Sequence, residues 1–298
     1  MREPLIFAFD QDAEFARAVA ACANAELGEL VAREFPDGET YLRLMTDCSS
    51  RDVVIAGSLH RPNPRVLPLL LLIDAARQHG AARVGLLAPY LAYMRQDREF
   101  QPGEAVTARA FARVLSNGID WIVTVEPHLH RIQRLSDAYP IPAVSLRSTG
   151  EVGAWIAGHV SKPIVIGPDR ESRQWASRIA REAAAPWLVL DKTRHGDTSV
   201  TVSVPNLGGH SDCTPVLVDD IISTGRTMMA AVSRLGAAGT PAPVCVGVHA
   251  VFADGAYEAL MNSGASRIVT TNTIMHPSNG IDVVPLVARA LRERTRFD

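Results

Sequence analysis

Short apolar runs alternate with longer amphipathic segments along most of the chain. The first half contains the strand-like runs LIFAF (5–9), DVVIAGSL (52–59), RVGLLAPYL (83–91) and WIVTVEP (121–127). The first three are followed by segments with a helical spacing of apolar residues: DAEFARAVAACANAEL (12–27), PRVLPLLLLIDAARQHG (64–80) and VTARAFARVLSNG (106–118). Strands and helices that alternate in this way predict parallel β/α units.

The same rhythm returns in the second half, after a linking segment at 141–148. Strand-like runs occur at 163–169, 186–191, 214–221, 243–252 and 267–274, and helical patterns occur at 172–184 and 224–239. We therefore predict an α/β protein with two halves, each a largely parallel sheet flanked by helices. We place the first domain at 1–145 and the second at 146–280, and we expect a closing strand and helix at 281–298 to pack on the N-terminal half.

Length and composition agree with this division. The 298 residues, of which 47% are hydrophobic and 21% charged, allow two compact domains of about 150 residues each. The longest apolar run, 66–73, is far shorter than the ~20 residues that span a bilayer, so we expect no membrane partner. The start of the chain resembles a first strand more than a signal peptide, and the four cysteines lack the spacing of a zinc or redox site. We expect a cytoplasmic protein with reduced thiols.

The charge balance limits the class of partner. The net charge is -2 and the pI is near 6.5, so the chain lacks the broad basic surface of a nucleic-acid-binding protein, and we expect no nucleic-acid partner. Ligands of open α/β sheets bind beyond the carboxyl ends of the strands. Polar clusters follow predicted strands at 35–39, 95–99, 126–130, 167–172 and 219–227. Any phosphate chemistry must depend on basic groups placed locally in these clusters.

The most informative segment is VLVDDIISTGRT, residues 216–227. An apolar strand ends in Asp219 and Asp220, and a segment with hydroxyl side chains then opens a helix. Its residues Ser223, Thr224, Gly225, Arg226 and Thr227 offer backbone N–H groups, hydroxyls, a helix dipole and a cation to a phosphate. The two carboxylates can accept hydrogen bonds from vicinal sugar hydroxyls. The combination predicts a sugar-phosphate site, in preference to an ordinary helix cap, and the Walker pattern GxxxxGK[ST] is absent.

This segment resembles the phosphoribosyl-binding loop of the phosphoribosyltransferase superfamily. Further segments narrow the resemblance: FPDGETYLRL (35–44), RQDREFQPGEAVTAR (95–109), TVEPHLHRIQ (124–133), GPD (167–169), DKTR (191–194) and TTNTI (270–274). In this order, over nearly the whole chain, they are similar to the ribose-phosphate diphosphokinase family, and most similar to its shorter, archaeal-type branch. The resemblance implies two tandem phosphoribosyltransferase-like domains and transfer of diphosphate from Mg-ATP to ribose 5-phosphate.

The resemblance also implies a nucleotide site shared between subunits. Phe35, Asp37 and Glu39 would form part of the adenine pocket on a loop that reaches into a neighbouring subunit of a homo-oligomer. Arg95, Gln96 and Asp97 would line the ATP site. On its residues alone, FPDGE is also an ordinary turn, and RQDRE also matches a solvated run of charges.

Metal and catalytic residues follow from the same resemblance. It implies Mg²⁺ as the essential ion, with contacts at His128 and Asp169, although Mg²⁺ usually prefers oxygen ligands. It makes Lys192 and Arg194 the catalytic cations, on a polar loop after a strand, where they would neutralise charge on the transferring phosphates. Without the resemblance, His128 would be a hydrogen-bonded side chain and the two cations part of a solvated loop.

Two segments depart from the family pattern. Residues 170–173, Arg-Glu-Ser-Arg, lack the glycine-rich turn of the larger branch, and Ser223 and Arg226 replace an acid and a small residue in the sugar-phosphate loop. We expect altered affinity or regulation, with binding retained. Two other functions stay open: a transferase that consumes phosphoribosyl diphosphate, which the 219–227 loop alone would also fit, and a non-catalytic regulatory homologue.

Overall fold

The computed structural model describes residues 3–129, 131–169, 172–195, 199–203 and 208–293. The chain divides into two compact units. The first contains the chain up to Leu146 together with the segment that begins at Val284, and the second contains Arg147–Val283. Both are α/β units with a parallel six-stranded sheet, which confirms the predicted fold class.

The first unit is built on six parallel strands with one antiparallel hairpin beside them. Its elements are β1 (Leu5–Phe7), α1 (Ala13–Ala23), β2 (Glu26–Leu27), β3 (Leu30–Glu34), β4 (Thr40–Leu44), β5 (Asp52–Ala56), α2 (Asn63–Gln78), β6 (Arg83–Ala88), α3 (Thr107–Ser116), β7 (Trp121–Val125) and β8 (Ala143–Leu146). The sheet order is β2-β1-β5-β6-β7-β8, and β3 pairs with β4 in a separate two-stranded sheet.

The second unit repeats this plan. Its elements are α4 (Thr149–His159), β9 (Pro163–Gly167), α5 (Arg173–Glu182), β10 (Trp187–Val189), β11 (Asp191–His195), β12 (Ser199–Ser203), β13 (Thr214–Ile221), α6 (Arg226–Ala237), β14 (Val244–His249), α7 (Ala256–Asn262), β15 (Arg267–Thr271) and β16 (Asn279–Ile281). The sheet order is β10-β9-β13-β14-β15-β16, and β11 pairs with β12. Along the chain, each two-stranded antiparallel pair comes between the second and third strands of the six-stranded sheet, β3 and β4 between β2 and β5, and β11 and β12 between β10 and β13.

Burial of apolar side chains explains why these elements form. The central strands β7 and β14 are buried along their whole length, as expected for a parallel sheet covered on both faces. In α3 the buried residues recur at positions 108, 111, 112 and 115, the spacing of one helix face. Gly85 of β6 lies opposite Trp121 of β7, and a Cβ at Gly85 would come within 2.0 Å of the indole ring. The indole therefore occupies the space that a larger residue would need.

Two segments differ from the sequence analysis. The predicted link at 141–148 contains β8, which pairs with β7 in the sheet of the first unit. The closing segment 281–298 does not stay together: β16 belongs to the sheet of the second unit, whereas α8 (Val284–Arg292) packs against α1 in the first. Among the described helices, none combines the length and apolar character that crossing a membrane requires.

Candidate functional site

The segment with the acid pair forms a strand, a loop and a helix in the second unit. Asp219 and Asp220 lie near the end of β13, and α6 begins at Arg226. Gly225 has φ +68°, a left-handed conformation that favours glycine, and it precedes the first turn of α6. The loop is fixed by two backbone bonds to the segment after β14: Ile222 N–H donates to His249 O at 3.1 Å, and Ala253 N–H donates to Ser223 O at 3.1 Å. The loop backbone is thus held in place from within the unit.

The hydroxyl and basic side chains of this loop differ in exposure. Thr224 and Arg226 are exposed, and Ser223 and Thr227 are partly buried. The backbone N–H groups of the first turn of a helix have no partner within the helix, and the helix dipole favours an anion there. The arrangement is suited to a phosphate group.

The acid pair is electrostatically unfavourable by itself. Burial raises the pKa of Asp219 well above its usual value, and the negative charges of Asp220 and Asp169 raise it further. The backbone N–H of Asp220 donates to Asp219 Oδ1 at 3.0 Å, which offsets part of this effect. Hydroxyl donors or a cation placed at these carboxylates would relieve the repulsion. The group therefore has the character of a ligand site.

Asp169 comes to this cluster from the loop after β9. Ser172 N–H donates to Asp169 Oδ1 at 3.2 Å, and the Ser172 hydroxyl donates to the backbone oxygen of Asp169 at 2.5 Å. Ser172 also precedes α5, which begins at Arg173, so the acid is held at the start of a helix. Arg170 and Glu171, which the sequence analysis singled out for their lack of glycine, lie outside the described residues.

The carboxylates offer oxygen atoms alone, which are the ligands that Mg²⁺ prefers. Within the described part of the chain, no three His, Cys, Asp or Glu side chains converge closely enough to hold a metal ion by themselves. Mg²⁺ usually retains several waters and binds through one or two carboxylates together with substrate phosphates. The donor set of the second unit fits such a shared site.

The segment with the two expected catalytic cations is a strand, whereas the sequence analysis treated it as a loop. Lys192 and Arg194 lie on β11, whose backbone pairs antiparallel with β12, Lys192 with Val202 and Arg194 with Val200. The sequence Ser-Val-Thr-Val-Ser at 199–203 has three consecutive β-branched residues between two serines, a composition typical of a strand. The side chains of both cations lie outside the described part of the structure, so their roles stay predictions.

The expected nucleotide residues of the first unit lie on loops that follow β6 and β7. Arg95 is exposed, Gln96 is partly buried and Asp97 is buried, and His128 is partly buried after β7. Each loop follows a non-glycine residue in a left-handed conformation, Tyr93 with φ +62° before the first and Glu126 with φ +36° before the second. Such strained backbone positions cluster at functional sites, so these two are consistent with a binding role.

Phe35, Asp37 and Glu39 lie at the tip of the β3–β4 hairpin. Phe35 N–H donates to Glu39 O at 2.7 Å, which closes the turn, and Glu39 N–H donates to Asp37 Oδ1 at 3.3 Å. The ring of Phe35 is 37% exposed, and the guanidinium of Arg33 lies 4.4 Å from its centroid. An aromatic face and two carboxylates are thus presented on a turn.

Sequence reasoning missed several residues that shape these sites. Arg131 bonds Asp97 across the two loops of the first unit, and Glu104 closes the loop that contains Gln96. Ser172 orients Asp169, and His249 accepts the loop amide of Ile222. The position of Ser172 just before a helical pattern was a detectable signal. The other contacts join residues distant in sequence and had no local signal.

Comparison with known proteins covers both units. Residues 4–118 match the family model described as the N-terminal domain of ribose phosphate pyrophosphokinase, and residues 147–284 match the phosphoribosyl transferase domain. A ribose-phosphate pyrophosphokinase of Sulfurisphaera tokodaii is 34% identical over 86% of this chain and 89% of its own length. One of Methanosarcina acetivorans is 36% identical over 87% of this chain and 88% of its own length.

A solved structure gives the same result. The crystal structure of phosphoribosylpyrophosphate synthetase from Mycobacterium smegmatis aligns with a TM-score of 0.86 and 26% identity, over 99% of both chains. The similarity therefore extends through both units and is not confined to the sugar-phosphate loop.

Proposed function

The chain belongs to the ribose-phosphate pyrophosphokinase family, and from this premise we propose that it transfers the terminal diphosphate of ATP to the C1 hydroxyl of ribose 5-phosphate. The products are 5-phosphoribosyl 1-diphosphate and AMP. The observation that carries the proposal is the acid pair and helix-opening loop at 219–227, within a chain that matches the family over both units. A transferase that consumes phosphoribosyl diphosphate needs the loop but leaves the family match of the first unit unexplained.

The second unit would bind the sugar phosphate. Asp219 and Asp220 would accept hydrogen bonds from the vicinal ribose hydroxyls, and the segment 223–227 would hold the 5-phosphate at the start of α6. The raised pKa of Asp219 supports this assignment, because hydroxyl donors stabilise carboxylates that repel one another.

Magnesium would be bound jointly by the protein and the substrates. We propose Asp169 as a magnesium contact of the second unit, on the donor chemistry described above, and His128 as a magnesium contact of the first unit, on the family resemblance. Bound Mg²⁺ would neutralise part of the charge on the phosphate oxygens. The protein's own contribution is to orient Asp169: the Ser172 amide donates to its carboxylate, and the Ser172 hydroxyl donates to its backbone oxygen.

The reaction would be an in-line attack by the sugar hydroxyl on the β-phosphorus, with AMP as the leaving group. Reactions of this type depend on positioning and charge stabilisation more than on a covalent nucleophile. Lys192 and Arg194 would stabilise the negative charge that grows on the oxygen bridging to AMP. Arg95, Gln96 and Asp97 would line the site of the nucleotide in the first unit.

The adenine pocket would be completed by a second copy of the chain. The exposed Phe35 ring and the carboxylates of Asp37 and Glu39 lie on a turn that can reach a neighbour. Activity should then depend on assembly, so enzyme activity and oligomeric mass should fall together on dilution. Full turnover by an isolated monomer would contradict the shared site. A cytoplasmic location is proposed as well, since the four cysteines are free, as is typical of a reducing compartment.

The direct test is release of AMP from ATP in the presence of ribose 5-phosphate and Mg²⁺, measured with a coupled assay. We expect AMP only when both substrates are present. Consumption of phosphoribosyl diphosphate with a free base, without AMP formation from ATP, would favour the transferase. Binding of both substrates without turnover would favour a regulatory homologue.

A further inference from the structure

A buried carboxylate joins the two nucleotide-side loops of the first unit. The side chain of Asp97, on the loop after β6, is 4% exposed. The backbone N–H of Arg131 donates to its Oδ2 at 3.0 Å, and Nη1 of Arg131 donates to its Oδ1 at 3.2 Å. Both carboxylate oxygens are therefore directed at a single residue of the loop after β7. This leaves Asp97 poorly placed to contact a nucleotide.

The loop after β6 presents a second contact to the same arginine. The guanidinium of Arg131 lies 5.3 Å from the centroid of the Phe100 ring. Oε2 of Glu104 accepts from the Phe100 N–H at 2.9 Å and from the Gln96 amide nitrogen at 3.4 Å, so the loop is closed on itself around Gln96. Arg131 thus bonds one part of a preformed loop through Asp97 and packs on another part through Phe100.

The bridge between Asp97 and Arg131 lies close in sequence to the residues of the first unit that we propose to contact the triphosphate. Asp97 directly follows Arg95 and Gln96, and Arg131 lies three residues after His128. Each loop contains a non-glycine residue in a left-handed conformation, Tyr93 in the first and Glu126 in the second, so neither backbone is in a relaxed conformation there. A contact between the loops is then needed to keep their side chains in one fixed arrangement.

We propose that Asp97 and Arg131 are positioning residues, which hold Arg95 and Gln96 in register with His128 so that all three face the same triphosphate. The inference rests on the proposed function and refines the role of Asp97 within it, from a residue that lines the ATP site to one that acts through Arg131. Positioning of this kind matters greatly for a bound substrate, since displacement of a contact by about 1 Å can cost about 100-fold in rate.

A role in stability alone is the competing explanation. The side chain of Arg131 is 47% exposed, and ion pairs with one solvated partner stabilise folded proteins only weakly. The two explanations differ in what they predict for the two substrates. A positioning pair affects the nucleotide and spares the sugar phosphate, whereas a stability pair affects neither KM as long as the protein is folded.

The test measures steady-state kinetics and Mg-ATP binding by calorimetry for Arg131→Gln, Asp97→Asn and the double variant. For Arg131→Gln we expect KM and Kd for ATP to rise on the order of tenfold to 100-fold, the range for loss of a charged hydrogen bond. KM for ribose 5-phosphate should stay within about twofold, and Arg131→Lys should restore most of the ATP affinity. The double variant should be no worse than the weaker-binding single variant, because both changes break one bridge.

Arg98→Gln is the matched control. The guanidinium of Arg98 lies 4.9 Å from the centroid of the same Phe100 ring, on the loop that contains Asp97. This variant therefore removes an equal charge beside that ring and leaves the bond between Asp97 and Arg131 in place. We expect its KM for ATP to change less than threefold, on the scale of an exposed charge.

Three results would overturn the inference. The first is an unchanged ATP affinity in Arg131→Gln, and the second is an equal loss in Arg98→Gln, which would indicate general attraction of ATP by positive charge. The third is an equal rise of both KM values with a lowered melting temperature. Failure of the proposed function is distinguishable, because the wild-type protein would then release no AMP, while the Mg-ATP binding comparison among variants would still decide the inference.

Discussion

In each unit one loop follows the third sheet strand in chain order, which is β5 in the first unit and β13 in the second. The two loops occupy equivalent places in the same topology but have opposite electrostatic character. After β13, burial raises the pKa of Asp219, and the negative charges of Asp220 and Asp169 raise it further. In the first unit the loop after β5 instead surrounds an ion pair, in which Arg65 Nη1 lies 3.0 Å from Asp12 Oδ2. The same position in the fold thus holds an ion pair in the first unit and a cluster of acidic residues in the second.

The surroundings of the two aspartates show the difference in detail. The carboxylate of Asp12 accepts the Ser58 N–H at 3.1 Å, and Arg65 also donates to Ser58 O at 3.1 Å. Burial raises the pKa of Asp12, and Arg65 opposes that rise, whereas the neighbours of Asp219 add to its rise. In the first unit the charge of Asp12 is thus compensated by Arg65. Asp219 instead has two acidic neighbours, and a ligand that supplies hydroxyl donors or a cation would stabilise this arrangement.

The largest expected effect concerns the hairpin of the second unit, which tests whether this unit performs the chemistry. Lys192→Ala and Arg194→Ala should each lower kcat about 100-fold to 1,000-fold, or ~2.7 to 4 kcal/mol, because the charge that they stabilise grows in the transition state. The double variant should lose less than the sum of the two effects. Steady-state kinetics checks this, together with ATP binding.

The control for these variants is Lys162→Ala, an exposed lysine of the same unit that pairs with Asp212 at 2.8 Å. Its kcat should match that of the wild type. Near wild-type kcat in both Lys192→Ala and Arg194→Ala would remove the catalytic role.

The next effect tests the ion-paired loop of the first unit. Arg65→Ala leaves the buried Asp12 without its cation, and the side chains are 17% and 8% exposed, so the free energy of unfolding should fall by about 3 kcal/mol. Urea denaturation measures this. Arg181→Ala, which removes an exposed pair with Glu182, should cost less than about 1 kcal/mol. Equal stability of both variants would show that the first loop does not depend on its ion pair.

In the loop after β13, loss of a charge should weaken ligand binding. Asp220→Ala should weaken ribose 5-phosphate binding roughly tenfold to 100-fold, from the ~1 to 3 kcal/mol of a lost hydrogen-bonding carboxylate, while ATP affinity changes little. Calorimetry with each substrate separates the two, with Asp212→Ala as the control on an exposed acid of the same unit. Unchanged sugar-phosphate affinity would end the assignment of the acid pair.

The smallest effect is a pH dependence confined to the first unit. Burial, followed by the charges of Arg65 and Arg61, lowers the pKa of His60 to about 4 from its usual value of 6.5. The unfolded chain therefore binds more protons than the folded protein between these values, so stability is present above pH 6.5 and is lost as the pH falls toward 4. The loss from pH 7 to pH 5 should be about 1 kcal/mol, because solvent screening weakens the effect at a group that is only about half buried.

Urea unfolding at the two pH values tests this, with His60→Gln as the comparison. The variant should show a smaller loss of stability over the same pH interval. An identical pH dependence in the variant and the wild type would exclude His60 as its source.

The amino-acid sequence alone determined the fold class and the family. Alternating apolar runs and helical patterns record burial of strands between helices, and this local signal does not depend on knowing which strands pair. The segment proposed to bind the sugar phosphate is contiguous from 219 to 227, so its residues, spacing and helix start were all visible in the sequence. The family resemblance, which the comparisons confirm, rested on such contiguous segments.

Only the tertiary structure decided which distant residues meet. The strand β8 within 141–148 is set by its pairing with β7, and β11 and β12 are set by pairing with each other. Short strands of this kind have little local signal. The proximity of Asp169 to Asp219 and the bond between Asp97 and Arg131 join residues 50 and 34 positions apart. Such contacts follow from the order of strands in a sheet, because parallel strands bring the loops at their carboxyl ends together regardless of their separation in sequence.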